Sequence, residues 1–444
     1  MKHAALLLLF STSASAADLS SVVAAAVARS PAVAEARAHR EQAEAAAREA
    51  TMSRLPSLSA NGSVLRSDDP LFAFGALLQE RRVTSADFNP SSINQPGYQT
   101  AVQGALELGV PLFTGFALTR AHDEAALAAQ EAEALGGAAA QGVRLRAAEA
   151  YLSALRDRAL VQEIDARIAS AEKEVASAER LKKQGLVLGS DHQAALAILA
   201  GLRARRERAA AEEAAHAGQL YALLGGPAPE PSGSLGPWSP PVEGDDALIA
   251  AALESRPDLR AAGLRRDQAG VRERGAAQSL LPVIDAFAAV QTTSDGLDAG
   301  AGARLFGLRA NVPFGDPAFF SRRDRARAET AAAAQARAGL EDAIRGEVLS
   351  QAAAVRGVAA ATGDVDESLA RARQSLEEVR PLYREGRQSI LEVLRAEEAV
   401  VELYGASLDA RRRLRADWAS LRAAQGRLDE DAITTLSRSL EDAR

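Results

Sequence analysis

The feature that most constrains the fold of this 444-residue chain is an internal repeat. Each half begins with a helix-forming stretch that contains one proline, and a second proline follows 25 residues later in both halves. A third proline then precedes a long helix-forming stretch that leads to a glycine, 74 residues on in the first half and 73 in the second. The landmarks are Pro31, Pro56, Pro111 and Gly185 in the first half and Pro257, Pro282, Pro313 and Gly386 in the second. Four landmarks in one order at matched spacing predict a duplicated chain.

The repeat defines the predicted domains. Residues 17–226 and 247–444 are the two repeats, and the stretch rich in Pro and Gly at 227–246 is predicted to be a linker. The interval between the second and third prolines is longer in the first repeat, and the surplus is interpreted as one polar surface loop, where insertions are tolerated best.

The N-terminus predicts export. A weakly basic start is followed by an apolar run and then by small residues that form an A-x-A site ending at Ala16. This pattern is typical of a signal peptide at residues 1–16, although an ordinary first helix is an alternative. No run of 18 apolar residues follows, so no transmembrane helix is expected.

Each repeat is predicted to contain a helix, two strands and a long helical hairpin. The first helix is expected over 19–54, up to Pro56. The predicted strands are 57–66 and 98–113, then 283–291 and 303–313; the predicted hairpins are 116–224 and 318–426. Strands of about ten residues suit a tilted bilayer crossing, but four strands cannot close a barrel and an open edge cannot face lipid. Several chains would therefore have to share one barrel, and three chains would supply twelve strands.

Apolar residues in the long stretches recur at alternating steps of three and four. The two runs are Ile164, Ile168, Ala171, Val175 and Ala178, and Leu369, Ala372, Leu376, Val379 and Tyr383. This spacing is a heptad pattern and predicts coiled-coil packing. The segment 116–183 would be about 100 Å long as a helix, which is enough for a periplasmic tube; a stalk or filament is the alternative interpretation.

Composition and missing motifs argue against several functions. The net charge of −7 does not suit nucleic acid, and the chain has no cysteine for disulfides, thiolate metal sites or lipid attachment. The five histidines form no close pair with metal-ligand spacing, and no common nucleotide-binding or hydrolase motif is present. No enzyme activity, catalytic residue, cofactor or metal is therefore expected.

The repeated order of helix, strand, loop, strand, long helix, glycine and helix resembles the TolC-type outer-membrane efflux proteins. The resemblance covers essentially the whole mature chain and includes the Val-Pro-Leu-Phe-Thr-Gly stretch at Val110–Gly115. It implies a mainly α fold with a transmembrane β portion, in which a twelve-stranded barrel and a helical tube are completed by trimerisation. It also implies that the loop between the first two strands, Ser67 to Gly97, is exposed outside the cell.

The hairpin bends carry the most specific part of the resemblance. Both place an acidic residue six positions after the glycine, Asp191 after Gly185 and Glu392 after Gly386. Glycine suits a bend that needs positive φ, and an acid near a helix start complements the helix dipole, which is a sufficient structural reason for it. By resemblance the bends face the periplasm and dock adaptor proteins. The candidate docking residues are Gly185, Leu186, Val187, Gly189, Ser190, Asp191, Gly386, Gln388 and Ser389.

The resemblance further implies an aperture near the second bend. Its candidates are Tyr383, Arg387, Glu392 and Arg395. Glu392 matches an acidic aperture position of the family, but Arg395 stands where the family has a second acid, which puts a doubled acidic ring in doubt. Three Glu392 side chains could form a single ring that favours cations, or Arg395 could pair with the acid and lock a closed state.

The expected function is an outer-membrane channel of a tripartite efflux or type I secretion system, working as a homotrimer with outer-membrane lipid around it. Its expected partners are a periplasmic adaptor (membrane fusion) protein and an inner-membrane pump of the RND or ABC type. The alternative is a soluble periplasmic adaptor or scaffold built on a helical hairpin. The sequence leaves the exported substrate open.

Overall fold

The structure, a computed structural model, describes residues 17–185, 187–297 and 300–441, so the predicted signal peptide at 1–16 lies outside the described residues. The helices are α1 (Leu19–Arg29), α2 (Pro31–Met52), α3 (Pro70–Gln79), α4 (Pro90–Asn94), α5 (Ala117–Lys183), α6 (Gly189–Leu224), α7 (Asp245–Ser255), α8 (Pro257–Ala277), α9 (Phe319–Arg384), α10 (Ile390–Ala424) and α11 (Glu430–Glu441). The strands are β1 (Ser57–Ser67), β2 (Gln99–Thr114), β3 (Val283–Ser294) and β4 (Ala301–Asn311). A 3-10 turn covers Ser85–Phe88. Across these described ranges, no helix combines the length and apolar character that a bilayer crossing needs.

Two expectations about the helices need correction. The stretch predicted as one helix over 19–54 is two helices, because Ser30 has an extended ψ of 123° and α2 starts at Pro31. In the second repeat, Arg256 likewise has an extended ψ of 120°, and α8 starts at Pro257. A residue before proline is pushed away from the helical conformation, and proline itself suits the first position of a new helix.

The loop surplus of the first repeat is also not simply polar. It contains the helix α3, whose sequence Pro-Leu-Phe-Ala-Phe-Gly-Ala-Leu-Leu-Gln has no charged residue. Asp69 caps α3 by accepting a hydrogen bond from the Phe72 backbone N–H at 2.8 Å, and Pro70 occupies the first helical position.

The described residues form two compact units. One comprises residues 17–39, 133–261 and 337–441, and the other comprises 40–132 and 262–336. The second unit contains an antiparallel sheet with the strand order β1-β2-β3-β4. Leu58 pairs with Leu108, Leu106 with Val290 and Ala288 with Phe306, and a bulge interrupts β2 near Pro111.

This register gives the sheet two different faces. Since side chains alternate along each strand, paired residues share a face. We call one face the apolar face; its exposed large apolar side chains are Leu58, Val64, Leu106, Leu108, Val290, Phe306 and Leu308, and the exposed Arg66 and Arg304 also lie on it. We call the other the polar face; it carries Ser59, Ser63, Gln103, Glu107, Gln291 and Thr293, with Leu65, Val283, Phe287 and Leu305 as large apolar exceptions.

The first unit has a helical core in which Trp418, Tyr151, Leu19 and Leu248 are fully buried or nearly so. The Tyr151 hydroxyl lies 2.9 Å from the Ala17 carbonyl oxygen and 2.7 Å from that of Ser232, so it joins α5 to two chain segments far away in sequence.

A buried arginine fastens the segment 227–246 to this core. The Arg415 guanidinium donates to the carbonyl oxygens of Gly236 at 3.0 Å and Ser439 at 2.8 Å. Burial, with a smaller contribution from Arg411, lowers the pKa of Arg415 to about 10. Trp238 packs edge-on against Trp418 with ring centroids 5.5 Å apart. The segment therefore lies against α10 and α11.

The predicted heptad pattern is confirmed by burial along the two long hairpins. Ile164, Ala171, Val175 and Ala178 of α5 and Leu369, Leu376 and Tyr383 of α9 are buried in one hydrophobic cluster, and Ile168, Ala372 and Val379 pack against it half-buried. The cluster continues into α6 and α10. The cluster therefore packs the two hairpins against each other.

Candidate functional site

The first bend connects α5 to α6. Gly185 has φ of +76°, the left-handed region that glycine adopts at least cost, and its N–H donates to the Lys182 carbonyl oxygen at 3.0 Å. Of the predicted docking residues here, Leu186 lies outside the described residues and Val187 is half-buried. Gly189 and Ser190 are exposed in the first turn of α6, and Asp191 is half-buried beside them. The apolar side chain of Leu188 is also exposed at this bend, which the sequence did not single out.

The second bend has the same construction. Gly386 has φ of +73°, and its N–H donates to the Tyr383 carbonyl oxygen at 2.9 Å. Gln388 is exposed, and Ser389 caps α10 by accepting a hydrogen bond from the Leu391 backbone N–H at 3.2 Å. Apart from its two chain neighbours, neither bend glycine has a described residue with a heavy atom within 4 Å of the position that a Cβ would occupy, so the backbone conformation alone favours glycine.

The predicted aperture residues occupy different environments around the second bend. Tyr383 is buried in the helical cluster, where burial and the charge of Glu174 raise the pKa of its phenol. Arg387 is exposed and lies 3.4 Å from Glu385. Glu392 and Arg395 pair with each other, 3.0 Å between Oε1 and Nη1, with both side chains largely exposed.

The surroundings of Glu392 bear on its two predicted roles, complementing the helix dipole and forming an acidic aperture ring. The acid lies in the first turn of α10, three residues after the cap Ser389, where a negative charge complements the helix dipole. Its charge is compensated by Arg395 of the same chain, so the bend carries a mixed pair at this level and no lone acid.

A buried ionic cluster lies two helical turns beyond the second bend and was not predicted from the sequence. The fully buried Glu397 of α10 accepts hydrogen bonds from Arg167 at 3.2 Å, from Ser170 at 2.9 Å and from Arg380. Arg380 also donates to the Ser170 hydroxyl at 2.9 Å. Because Arg167 and Ser170 belong to α5 and Arg380 to α9, the cluster joins three helices of the two hairpins.

The electrostatics of this cluster are balanced by close partners. Burial alone would lower the pKa of Arg167, but its hydrogen bonds and ion pairs with Glu163 and Glu397 raise it above the ordinary value. Removing one partner from a buried ion pair costs roughly 3–5 kcal/mol when the remaining charge has no other partner. Here Arg167 and Arg380 would each keep a second carboxylate, Glu163 and Glu377, so the cost of partly breaking the cluster is smaller.

A sequence signal for Glu397 did exist. The buried positions of α10 run through Ile390, Val393, Leu394, Glu397 and Val400, so the acid occupies a place where the heptad pattern calls for an apolar side chain. Its partners Arg167, Ser170 and Arg380 lie 230, 227 and 17 residues away in the sequence, and only the packing of the hairpins brings them together. In the described part of the chain, no group of three or more His, Cys, Asp or Glu side chains is arranged to hold a metal ion.

Comparisons with known proteins agree with this architecture. Residues 248–427 match the family model described as Outer membrane efflux protein. No curated protein matches the chain in sequence at a significant level.

Solved structures match nearly the whole chain. The outer membrane protein VceC from Vibrio cholerae is 20% identical with a TM-score of 0.74, covering 93% of this chain and 97% of its own. A membrane protein from Pseudomonas aeruginosa is 20% identical with a TM-score of 0.77, covering 92% and 93%. The MtrE outer membrane channel from Neisseria gonorrhoeae, in its open state, is 18% identical with a TM-score of 0.74, covering 94% and 90%. The predicted resemblance and the mainly helical fold with a β portion are confirmed.

Proposed function

We propose that this chain is the outer-membrane channel of a tripartite efflux or type I secretion system. One observation carries the proposal: within the described residues, the four-stranded sheet exposes an apolar face and leaves the outer edges of β1 and β4 without a neighbouring strand. The apolar face suits lipid, but an open strand edge in hydrocarbon leaves backbone groups without hydrogen-bond partners. Pairing β1 of one copy with β4 of the next removes both edges, and three copies complete a twelve-stranded barrel.

The proposed location is the outer membrane, with the long helical hairpins in the periplasm. The signal peptide expected at 1–16 supports export, and the match over residues 248–427 supports the outer membrane as the destination. Substrate would pass chemically unchanged. The energy would come from an inner-membrane pump of the RND or ABC type, reached through a periplasmic adaptor.

The exposed ends of the hairpins are the proposed adaptor site. Gly185 and Gly386 bend the chain there, and the first bend presents the exposed apolar side chain of Leu188 beside polar Ser190. An adaptor that separates the two hairpins would have to break the contacts of Glu397 with Arg167 and Ser170, which belong to the first hairpin. We infer that this cluster holds the closed state. The ion pairs formed by Arg387 and by Glu392 lie closer to the bend.

The conductance of the purified protein in planar bilayers tests the channel proposal. We expect discrete conductance steps, and a protein that gives none, even with the bend charges replaced, would count heavily against a channel.

Ion selectivity in the same bilayers tests the aperture assignment. Arg395→Gln would free the Glu392 carboxylate and should shift the reversal potential in a KCl gradient toward cation selectivity. The matched change Glu392→Gln should shift it toward anions, because it leaves Arg395 unpaired. Equal reversal potentials for both variants would remove Glu392 and Arg395 from the aperture.

Cell fractionation separates the channel from the alternative adaptor function. A channel should be recovered with the outer membrane as detergent-resistant trimers. A protein recovered as a soluble periplasmic monomer would support the adaptor or scaffold instead.

A further inference from the structure

The helix α3 has an apolar side that is largely exposed in the described part of the chain. Ala73 and Ala76 are buried beneath the helix, whereas Leu71 and Leu78 are 85% and 52% exposed. These two leucines are seven residues apart and therefore lie on one side of the helix. Phe74, between them, is half-buried and packs edge-on against Phe88 with ring centroids 5.6 Å apart. A helix that is apolar all round is normally buried all round. We therefore expect another surface to pack on the Leu71–Leu78 side.

Hydrogen bonds place α3 on the polar face of the sheet. The side-chain oxygen of Gln79 accepts from the Gln103 amide at 3.2 Å and from the Thr293 hydroxyl at 3.4 Å, and both partners belong to that face. Arg81 donates to the Gly302 carbonyl oxygen at 3.0 Å, and Arg82 pairs with Asp295. The anchor points cluster at the end of the sheet where the β1–β2 loop and the β3–β4 turn lie, which we call the loop end.

The helix α3 lies against the polar face of the sheet, whereas the proposed lipid contact is on the apolar face. Lipid and α3 would therefore contact opposite faces of the sheet. If the apolar face contacts lipid, α3 lies inside the barrel and its uncovered side points toward the lumen. Twelve strands about 4.8 Å apart and tilted by about 40° give a barrel radius of roughly 12 Å. A helix with its side chains is about 10 Å thick, so three such helices would fill most of the bore.

We propose that the α3 helices of three copies meet around the barrel axis and form an apolar constriction at the loop end, lined by Leu71 and Leu78. This inference rests on the proposed trimeric channel. The occupant of the apolar side is the same helix of another copy, because lipid contacts the other face of the sheet and threefold symmetry brings identical surfaces together at the axis. Such a constriction disfavours hydrated ions because its apolar walls exclude water.

Cross-linking tests the constriction directly, because the natural chain has no cysteine. We would introduce Leu71→Cys and Leu78→Cys separately, purify the trimers and oxidise them. Disulfide-linked dimers are expected, involving at most two of the three protomers, since the third thiol has no partner. The matched control is Phe306→Cys, whose parent side chain is equally exposed at 83% but lies on the apolar face. It should remain monomeric on a denaturing gel.

The outcomes separate the two proposals. Trimers by light scattering that give no cross-link at either leucine would overturn the constriction and leave the channel intact. Cross-linking of Phe306→Cys to the same extent would also overturn it, since contact would then not be confined to α3. A protein that is monomeric in detergent would overturn both the constriction and the trimeric channel.

Discussion

Glu397 shows how one residue can connect two hairpins that are distant in sequence. Its carboxylate occupies a buried heptad position and is surrounded by Arg167, Ser170 and Arg380. A buried ionic cluster of this kind adds little net stability over apolar packing, but breaking it in part is costly. That property suits a contact with two states, closed when the cluster is complete and open when the hairpins separate.

Replacing Glu397 by glutamine keeps the shape of the side chain and removes its charge. We expect Glu397→Gln to destabilise the packed hairpins by about 1.5–3 kcal/mol, because Arg167 and Arg380 each lose one charged hydrogen-bond partner while keeping Glu163 and Glu377. Chemical unfolding followed by circular dichroism measures this. The control Glu392→Gln removes an exposed ion pair and should cost less than about 1 kcal/mol. Equal losses for the two variants would mean that the buried cluster does not hold the hairpins together.

Asp258 gives the stability a pH dependence with a defined sign. Burial would raise the pKa of its carboxyl, but the hydrogen bonds and charge of Arg256 outweigh burial and lower it below the ordinary value of 3.8. Because the pKa of Asp258 is lower in the folded than in the unfolded protein, its contribution to stability is present above the unfolded pKa. That contribution is lost as pH falls through the folded pKa. Thermal unfolding should therefore show a loss of stability as pH falls below about 4.

The variant Asp258→Asn isolates this contribution. It cannot titrate at position 258, so it should lose less stability than the natural chain over the same acid range, and the two should differ most at neutral pH. Parallel pH curves for the two proteins would show that Asp258 does not contribute to the acid sensitivity.

At the scale of elements, the sequence predicts what is local and misses what depends on packing. The four strands and both long hairpins follow from alternation, heptads and proline positions, and the bend glycines were identified because positive φ is a local requirement. The breaks before Pro31 and Pro257 were missed although each proline was noted. The helix α3 was hidden in a stretch interpreted as a polar loop, and the partners of Glu397 depend on the relative register of three helices.

Replacing glycine by alanine should have opposite effects on stability at two positions of the α9–α10 hairpin, one at the bend and one within a helix. Gly386→Ala places a Cβ on a residue with φ of +73° and should destabilise the hairpin by roughly 1–2 kcal/mol. Gly357→Ala, within α9 and equally free of neighbours around the added Cβ, should stabilise it by about 0.5–1 kcal/mol. Unfolding midpoints of the two variants measure the difference, and a destabilised Gly357→Ala would show that this position is packed against another copy.

At the scale of the whole molecule, the sheet determines what the chain must assemble with. Its two unpaired edges call for further strands, and its two faces call for different surroundings, lipid on the apolar face and water or α3 on the polar one. The helical unit, in contrast, satisfies its own core through Trp418, Tyr151 and the buried Arg415. The strand edges of the β portion are therefore the observation that calls for other copies.

Two neighbouring residues of β4, one on each face of the sheet, test which face contacts lipid in the assembled protein. Phe306→Arg places a charge on the apolar face and should oppose membrane insertion by about 2–4 kcal/mol, whereas Leu305→Arg places the same charge on the polar face and should be tolerated. The measurement is the yield of folded trimer after refolding into lipid vesicles, with the same two variants compared in detergent. We expect trimer to be lost in vesicles for Phe306→Arg alone. If Leu305→Arg were the variant that failed, the lipid and lumen faces would be reversed, and α3 would lie outside the barrel.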